Sequence, residues 1–310
     1  MVTPAVSATA PRDLQRIGGA ARGETVARSL VALTKPRLAT LSVLTTAIAY
    51  VAARPAANGR EITALLIGTA LSAGGALALN QWLERDTDCI MERTRDRPIP
   101  AGQVTPAIAF LWGASLAIMG VALLALAVNA PAAAWSAATI ALYVFGYTPL
   151  KKHTHWATEI GAIPGALPPL IGWAAAEGRI SLLGWLLFAL LFFWQMPHFY
   201  AIGWICRREY RAAGFPLLPA IDQTGARTAG WSLAHAIALL GVSLAPWALG
   251  FTGAIYGVVA LAGGGGMAWR AWQFVAAKGD RDAAARRLFL ASLGYLPLVL
   301  GALMVDRWIR

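Results

Sequence analysis

The stretch ALLIGTALSAGGALALNQWLERDTDCIMERTRDRP, residues 64–98, sets two chemistries end to end. From Ala64 to Leu83 no side chain is charged. From Glu84 to Arg97, nine of fourteen residues are charged, with both signs mixed. An uncharged run of about 20 residues is the length a helix needs to cross a bilayer. The charge at its end needs its own reason, because orienting a helix in a membrane takes only Lys and Arg.

The rest of the chain fits the first half of this reading. Of 310 residues, 58% are hydrophobic and 13% charged, and the mean hydropathy is +0.58. Soluble domains carry about 25% charge, so lipid is the expected solvent. The apolar runs are continuous, which predicts an all-α bundle and excludes a closed barrel with alternating strands. The net charge of +11 sits at the ends of the apolar runs. It therefore reads as membrane topology and not as a nucleic-acid surface. Cys89 and Cys206 form no CxxC pair and no disulfide framework.

Nine stretches are long and apolar enough to span: 37–54, 62–84, 106–128, 133–149, 158–176, 182–205, 229–250, 252–274 and 287–306. With the N-terminus in the cytoplasm, twenty-one Lys and Arg fall on the cytoplasmic side and five on the other. This bias predicts nine transmembrane helices with the N-terminus inside. The first residues, MVTPAVSATAPRDLQRIGGAARGETVARS, lack the apolar core of a secretory signal. They read as a disordered cytoplasmic tail, 1–30, ahead of one transmembrane domain, 31–310. The run LAGGGGMAW, 261–269, reads as a close-packing surface.

If the second helix runs past Asn80, then Asn80, Glu84 and Asp88 fall at i, i+4 and i+8. Each step turns about 40° and rises about 6 Å, so the three share one narrow stripe. One amide oxygen and two carboxylates are hard ligands of the kind Mg²⁺ takes, together with water and substrate phosphates. Asp86 lies on the opposite face unless the helix unwinds. Arg93, Arg95 and Arg97 follow, and Lys151 and Lys152 lie in a neighbouring cytoplasmic connection. Guanidinium forks bind phosphate oxygens two at a time. Acids, Mg²⁺ and these cations together predict a diphosphate site at the mouth of an apolar cavity.

His198 sits in FFWQMPHFY, 192–200, beside Pro197 within an apolar stretch. A histidine in the membrane needs a reason. It can ligate a haem iron, move a proton, or hold a carbonyl freed by the proline. Trp194 and Trp173 are candidates to line an apolar ligand cavity. His153, His155 and His235 read as interfacial or structural.

The stripe resembles the first aspartate-rich motif of the UbiA superfamily of intramembrane prenyltransferases, N-D-x-x-D-x-x-x-D. Gln81 replaces its first Asp and Glu84 its second. Both changes are similar to the haem-modifying branch of that superfamily, as is ERDTDCIMERTRDRP at 84–98. So are TKPRL at 34–38, YTPLKKHTHW and GAIPGALPPLIGW within 147–173, WQMPHF at 194–199 and EYRAAGFPLLP at 209–219. The likeness covers residues 30–305 in order.

The resemblance implies a UbiA-type bundle in the cell inner membrane, with its active site on the cytoplasmic side. It implies that a farnesyl group passes from farnesyl diphosphate to a vinyl group of haem B, with water, giving haem O for haem-copper terminal oxidases. Asn80, Glu84, Asp88 and Arg97 would be catalytic, and Asn80, Glu84, Asp88 and Glu209 would hold Mg²⁺. Arg93, Arg97, Lys151, Lys152 and Arg208 would bind diphosphate. His198, Trp194 and Tyr210 would attend the haem, which is a substrate and not a cofactor. Membrane lipid surrounds the site, and haem A synthase or oxidase assembly proteins are candidate receivers of the product. The rivals are another UbiA-type prenyltransferase acting on an aromatic or tetrapyrrole ring, and a membrane transporter, whose acids would lie at mid-bilayer.

Overall fold

The structure is a computed structural model describing residues 26–56 and 58–309. The expected tail, 1–30, lies outside the described residues up to residue 25, while residues 26–33 are helical. The helices that follow are α1 (Pro36–Ala53), α2 (Gly59–Asp88), α3 (Pro106–Ala127), α4 (Ala130–Ala141), α5 (Ala157–Ala166), α6 (Pro168–Glu177), α7 (Leu182–Ile205), α8 (Arg207–Ala212), α9 (Ala226–Ala248), α10 (Ala254–Ala276) and α11 (Arg281–Ile309). No strand occurs among the described residues.

Local sequence sets the ends. Asn58, Thr105 and Asn129 accept backbone N–H bonds at the starts of α2, α3 and α4, as N-cap side chains do. Pro36 and Pro106 occupy first-turn positions, where a missing N–H costs nothing. Among the described residues, six helices are long and apolar enough to cross a membrane: α1, α2, α3, α7, α9 and α11.

The expected single helices at 133–149 and 158–176 are interrupted. After α4 the chain widens into a π-helical turn, Leu142–Tyr147, before a last turn at Thr148–Leu150. The second stretch divides into α5 and α6 at Leu167, because Pro168 and Pro169 follow and cannot donate to the preceding turn. α7, in contrast, continues through Pro197.

α2 lies along α3, and α1 packs between α2 and α6. In the second half α9 packs on α7 and α10, and α11 closes against α10 and α7. The α2–α3 contact is backbone to backbone. A Cβ on Gly75 would fall 2.5 Å from the Ala117 nitrogen, and one on Gly120 would fall 2.4 Å from the Ser72 nitrogen. Small residues allow this approach where apolar burial alone gives no drive in lipid. In the glycine run of α10, Gly263 and Gly264 meet Tyr295 and Leu240, whereas Gly265 and Gly266 face open space. The largest core cluster joins α7, α9, α10 and α11.

Candidate functional site

α2 is thirty residues long and does not stop where its apolar run stops. It continues through Asp88, so Asn80, Glu84 and Asp88 form the stripe expected of a continuous helix. They are 2%, 5% and 3% exposed. Asp86 points the other way: its side chain is 79% exposed and pairs with Arg85 at 3.7 Å.

Two buried carboxylates demand cations. Asp88 receives Arg97 Nη1 at 2.8 and 2.6 Å, and the same nitrogen stands 3.9 Å from Glu84. The loop that returns Arg97 is tied down by Thr94 Oγ1, which donates to the Asp88 carbonyl at 3.0 Å. Lys151 Nζ donates to Glu84 Oε1 at 3.3 Å and sits 4.5 Å from the centre of the Phe215 ring. Burial pulls the Lys151 pKa down, but Tyr147, Glu84 and Tyr210 outweigh it and the net shift is upward.

The third cation is Lys35, whose Nζ lies 3.4 Å from Asn80 Oδ1. It is the only non-glycine residue among those described with positive φ, at 44°. Such a conformation is disfavoured for a side-chain-bearing residue and marks a held position. Burial first, then the charge of Arg97, lowers the Lys35 pKa to about 7.

Asn80 is oriented by a relay. Its Nδ2 donates to Thr148 Oγ1 at 3.0 Å, and that hydroxyl donates to the Tyr143 carbonyl at 2.8 Å. With the Thr148 proton committed, the amide must present its NH₂ to Thr148 and its oxygen to the Lys35 ammonium. Gln81 turns away and donates to the Leu33 carbonyl at 2.7 Å, tying α2 to the helical residues before it. It is a structural tie where the superfamily motif has an acid.

The remaining expected residues divide. Arg93 is exposed and reaches the Tyr210 hydroxyl at 3.5 Å. Lys152 is half-buried and Arg208 exposed, with no ion pair to Glu84 or Asp88. No three His, Cys, Asp or Glu side chains gather as a metal cluster among the described residues, so Glu209 does not join Glu84 and Asp88 in one.

His198 and Trp194 do come together, on the seam between α7 and α11. Their rings stack at 5.3 Å, and Trp194 Nε1 donates to the Ser292 carbonyl at 2.8 Å. Ser292 Oγ donates to the Phe289 carbonyl at 2.6 Å, so His198 Nδ1 donates to Ser292 Oγ at 2.8 Å. This leaves Nε2 with its lone pair free of that bond. Tyr210 belongs instead with Arg93 and Lys151. His235 bonds the Trp231 carbonyl within its own helix at 2.8 Å, a structural role.

Sequence reasoning missed Lys35 and Thr148. A lysine ahead of an apolar helix reads as a topology anchor, and a threonine in a turn reads as nothing in particular.

The sequence profile of the UbiA prenyltransferase family matches residues 41–293. A protoheme IX farnesyltransferase of Opitutus terrae is 52% identical over 275 residues, covering 89% of this chain and 93% of that one. A solved digeranylgeranylglyceryl phosphate synthase shares the fold, with a TM-score of 0.78 and 14% identity, covering 92% and 99%. A UbiA homologue from Archaeoglobus fulgidus, solved with GPP and Mg²⁺, has a TM-score of 0.56 and 14% identity, covering 91% and 96%.

Proposed function

Because the chain belongs to the UbiA prenyltransferase family, we propose that it transfers a farnesyl group from farnesyl diphosphate to a vinyl group of haem B. Water adds in the same reaction, and the products are haem O and diphosphate. The carrying observation is the 52% identity to a protoheme IX farnesyltransferase across 93% of that protein. The buried acid stripe faced by Arg97, Lys151 and Lys35 supports the diphosphate half of the reaction.

The donor set fits Mg²⁺. Asn80, Glu84 and Asp88 offer oxygen only, and two carboxylates are as many as such a site uses when phosphates and water complete it. The cations on these oxygens, Arg97 at 2.6 Å and Lys151 at 3.3 Å, support a stripe that takes positive charge. The Mg²⁺-bound homologue supports the same reading. When bound there, Mg²⁺ supplies charge that favours departure of the diphosphate.

The chain's own residues do the rest. Arg97 and Lys151 sit where they can turn from the carboxylates to the diphosphate oxygens, and Lys35 and Arg93 widen that cationic wall. The Thr148 relay holds the Asn80 oxygen in place before substrate arrives. As the C1–O bond breaks, the electron-rich terminal carbon of the vinyl group bonds to C1. Positive charge moves to the porphyrin-side carbon, and water adds there with loss of a proton. His198, with Nε2 available, and Trp194 are proposed to attend the haem. Lys152, Arg208 and Tyr210 are proposed at the outer rim of the diphosphate site, and Glu209 at a second cation position.

The charge bias supports nine spans, the three interrupted or less apolar segments included, with the N-terminus and the active site on the cytoplasmic side of the inner membrane. The product would pass to haem A synthase or terminal oxidase assembly proteins.

The test is a product assay. The purified chain in liposomes receives haem B, farnesyl diphosphate and Mg²⁺, and the pigments are separated with mass detection. A haem heavier by one farnesyl group plus water, lost on chelation, is the expected result. Prenylation of a quinone precursor and not of haem would reassign the acceptor. No prenyl transfer to any acceptor by folded protein would remove the proposal.

A further inference from the structure

Away from the acid stripe, a second polar cavity of about 480 Å³ opens where α7 ends and α10 turns into α11. That volume is in the range of small-ligand pockets, about 300–1,000 Å³. The cavity lies at the same end of the bundle as the stripe, since α8, which follows α7, is joined to the loop after α2 by the Arg93–Tyr210 bond. The charge bias assigns this end to the cytoplasm.

Trp204 lines the cavity, is 4% exposed, and keeps an enclosed Nε1 donor with no hydrogen-bond partner in the protein. The Arg207 guanidinium lies over its ring, 4.2 Å from the centre, a stacking that holds the fork in place. Arg207 Nη1 is also tied to the Trp204 carbonyl at 2.7 Å and to Asp282 Oδ1 at 2.9 Å. Two acids line the cavity, and both are engaged. Asp282 pairs with Arg207, and Asp280 Oδ1 accepts from the Asp282 and Ala283 nitrogens at 3.0 and 3.2 Å, at the start of α11. Lys278 and Arg281 line it too, and among the described residues neither forms an ion pair. Arg281 donates only to the Gly225 and Phe274 carbonyls, at 3.4 and 3.3 Å. Two cations therefore border one space with no acid left to meet them.

α10 sets the depth of this space. Trp272 stands one turn before the end of α10 and Trp269 a turn earlier; both are exposed, and their rings stack at 4.9 Å. Exposed tryptophans near a helix end sit at headgroup level, so the cavity just beyond them lies at the level of lipid phosphates. Val258, Leu261, Trp269 and Trp272 are all exposed at i, i+3, i+11 and i+14, one stripe of α10 leading away from the cavity.

We propose that this cavity binds the phosphate of an anionic phospholipid, met by Lys278 and Arg281 beside the fixed fork of Arg207, with the acyl chains along the exposed stripe of α10. Basic pockets between helix ends on the cytoplasmic side suit such headgroups, and guanidinium forks take phosphate oxygens two at a time. A lipid held there ties the start of α11 to the end of α7, which leads through α8 to Tyr210 and Arg93.

The test measures melting of the purified, delipidated chain in detergent against added phosphatidylglycerol, phosphatidylcholine or inorganic phosphate. No substrate is present, so the result is independent of the proposed reaction. Phosphatidylglycerol is expected to raise the melting temperature saturably. Its half-saturating concentration is expected to rise about tenfold in Lys278→Gln and in Arg281→Gln, from the worth of a charged hydrogen bond. Arg286→Gln and Arg287→Gln, exposed on α11 outside the cavity, are expected to follow wild type. Equal weakening in all four variants would overturn the site in favour of diffuse attraction. An equal shift with phosphatidylcholine would remove the need for a net negative lipid, and one with inorganic phosphate at the same concentration would reassign the cavity to a soluble anion; either result overturns the proposal, as does no shift at all. Should Arg281→Gln not fold, Lys278→Gln, at an exposed position, decides alone, and wild-type half-saturation there overturns the assignment.

Discussion

Arg97 Nη1 reaches both carboxylate oxygens of Asp88, nine positions back along the chain, at 2.8 and 2.6 Å. The bond does two things. It neutralises a carboxylate that is 3% exposed, and under the proposed reaction it supplies the guanidinium that turns to the diphosphate.

The two roles separate by substitution. Arg97→Lys keeps a charge but loses the fork. Its kcat/KM for farnesyl diphosphate is expected to fall about 10–100-fold, from the worth of charged hydrogen bonds, with a nearly normal melting temperature. Arg97→Ala leaves Asp88 buried without its cation, a loss of about 3–5 kcal/mol, and should melt earlier in detergent. Equal melting of the two variants would contradict the pairing.

Glu84→Gln and Asp88→Asn each remove a carboxylate from the stripe. Both are expected to lose turnover by at least about 10²-fold while remaining in the membrane fraction with unchanged helical content by circular dichroism. Chelation of the wild type should give the same loss and added Mg²⁺ should reverse it. Near-normal turnover in either variant would remove that residue from the metal site.

Asp222 gives a pH signature away from the chemistry. It accepts from Gly225 N at 3.0 Å and from Thr228 N and Oγ1 at 2.8 and 2.9 Å, holding the turn before α9. Burial pushes its pKa up, but the bonds from Thr228 and Gly225 outweigh this, and the net shift is downward from 3.8. Its stabilisation is therefore full above the usual carboxylate range and is lost as pH falls through the lowered value. Asp222→Asn should melt earlier than wild type at pH 7, and the gap should close below about pH 4. A gap that is constant with pH would mean the charge is not what matters.

The two membrane histidines should behave differently. His198→Ala, which removes a ring with Nε2 available beside Trp194, is expected to weaken haem binding about tenfold or more, read as a lost Soret change on haem titration. His235→Ala, whose ring bonds only its own helix at 2.8 Å, should leave that titration unchanged. Equal effects would return His198 to a packing role.

Much of α2 was legible. An uncharged run followed by residues at i, i+4 and i+8 can be read without coordinates, because helical pitch alone puts Asn80, Glu84 and Asp88 on one stripe. The partners were less legible. Arg97 and Lys151 could be named as cations, but which acid each would meet depends on how two loops fold back. Lys35 was invisible because its role comes from a left-handed backbone at φ 44°, which no residue pattern announces. The break at Leu167 followed from Pro168 and Pro169, a signal present in the sequence and read through as one span.

The π-helical turn at Leu142–Tyr147 gives this part of the chain an unusual tolerance map. A widened turn holds one more residue than an α-helix needs over the same rise. Deleting a residue there would leave the helix about as long as before, and its apolar character intact. Phase would be kept as well, because the extra residue sits inside one widened turn and adds no net rotation: Thr148 would still face Asn80 and Lys151 would still face Glu84. For relatives of this chain, a one-residue gap in this segment is therefore compatible with the same geometry around the acid stripe, where a gap in α2 would not be.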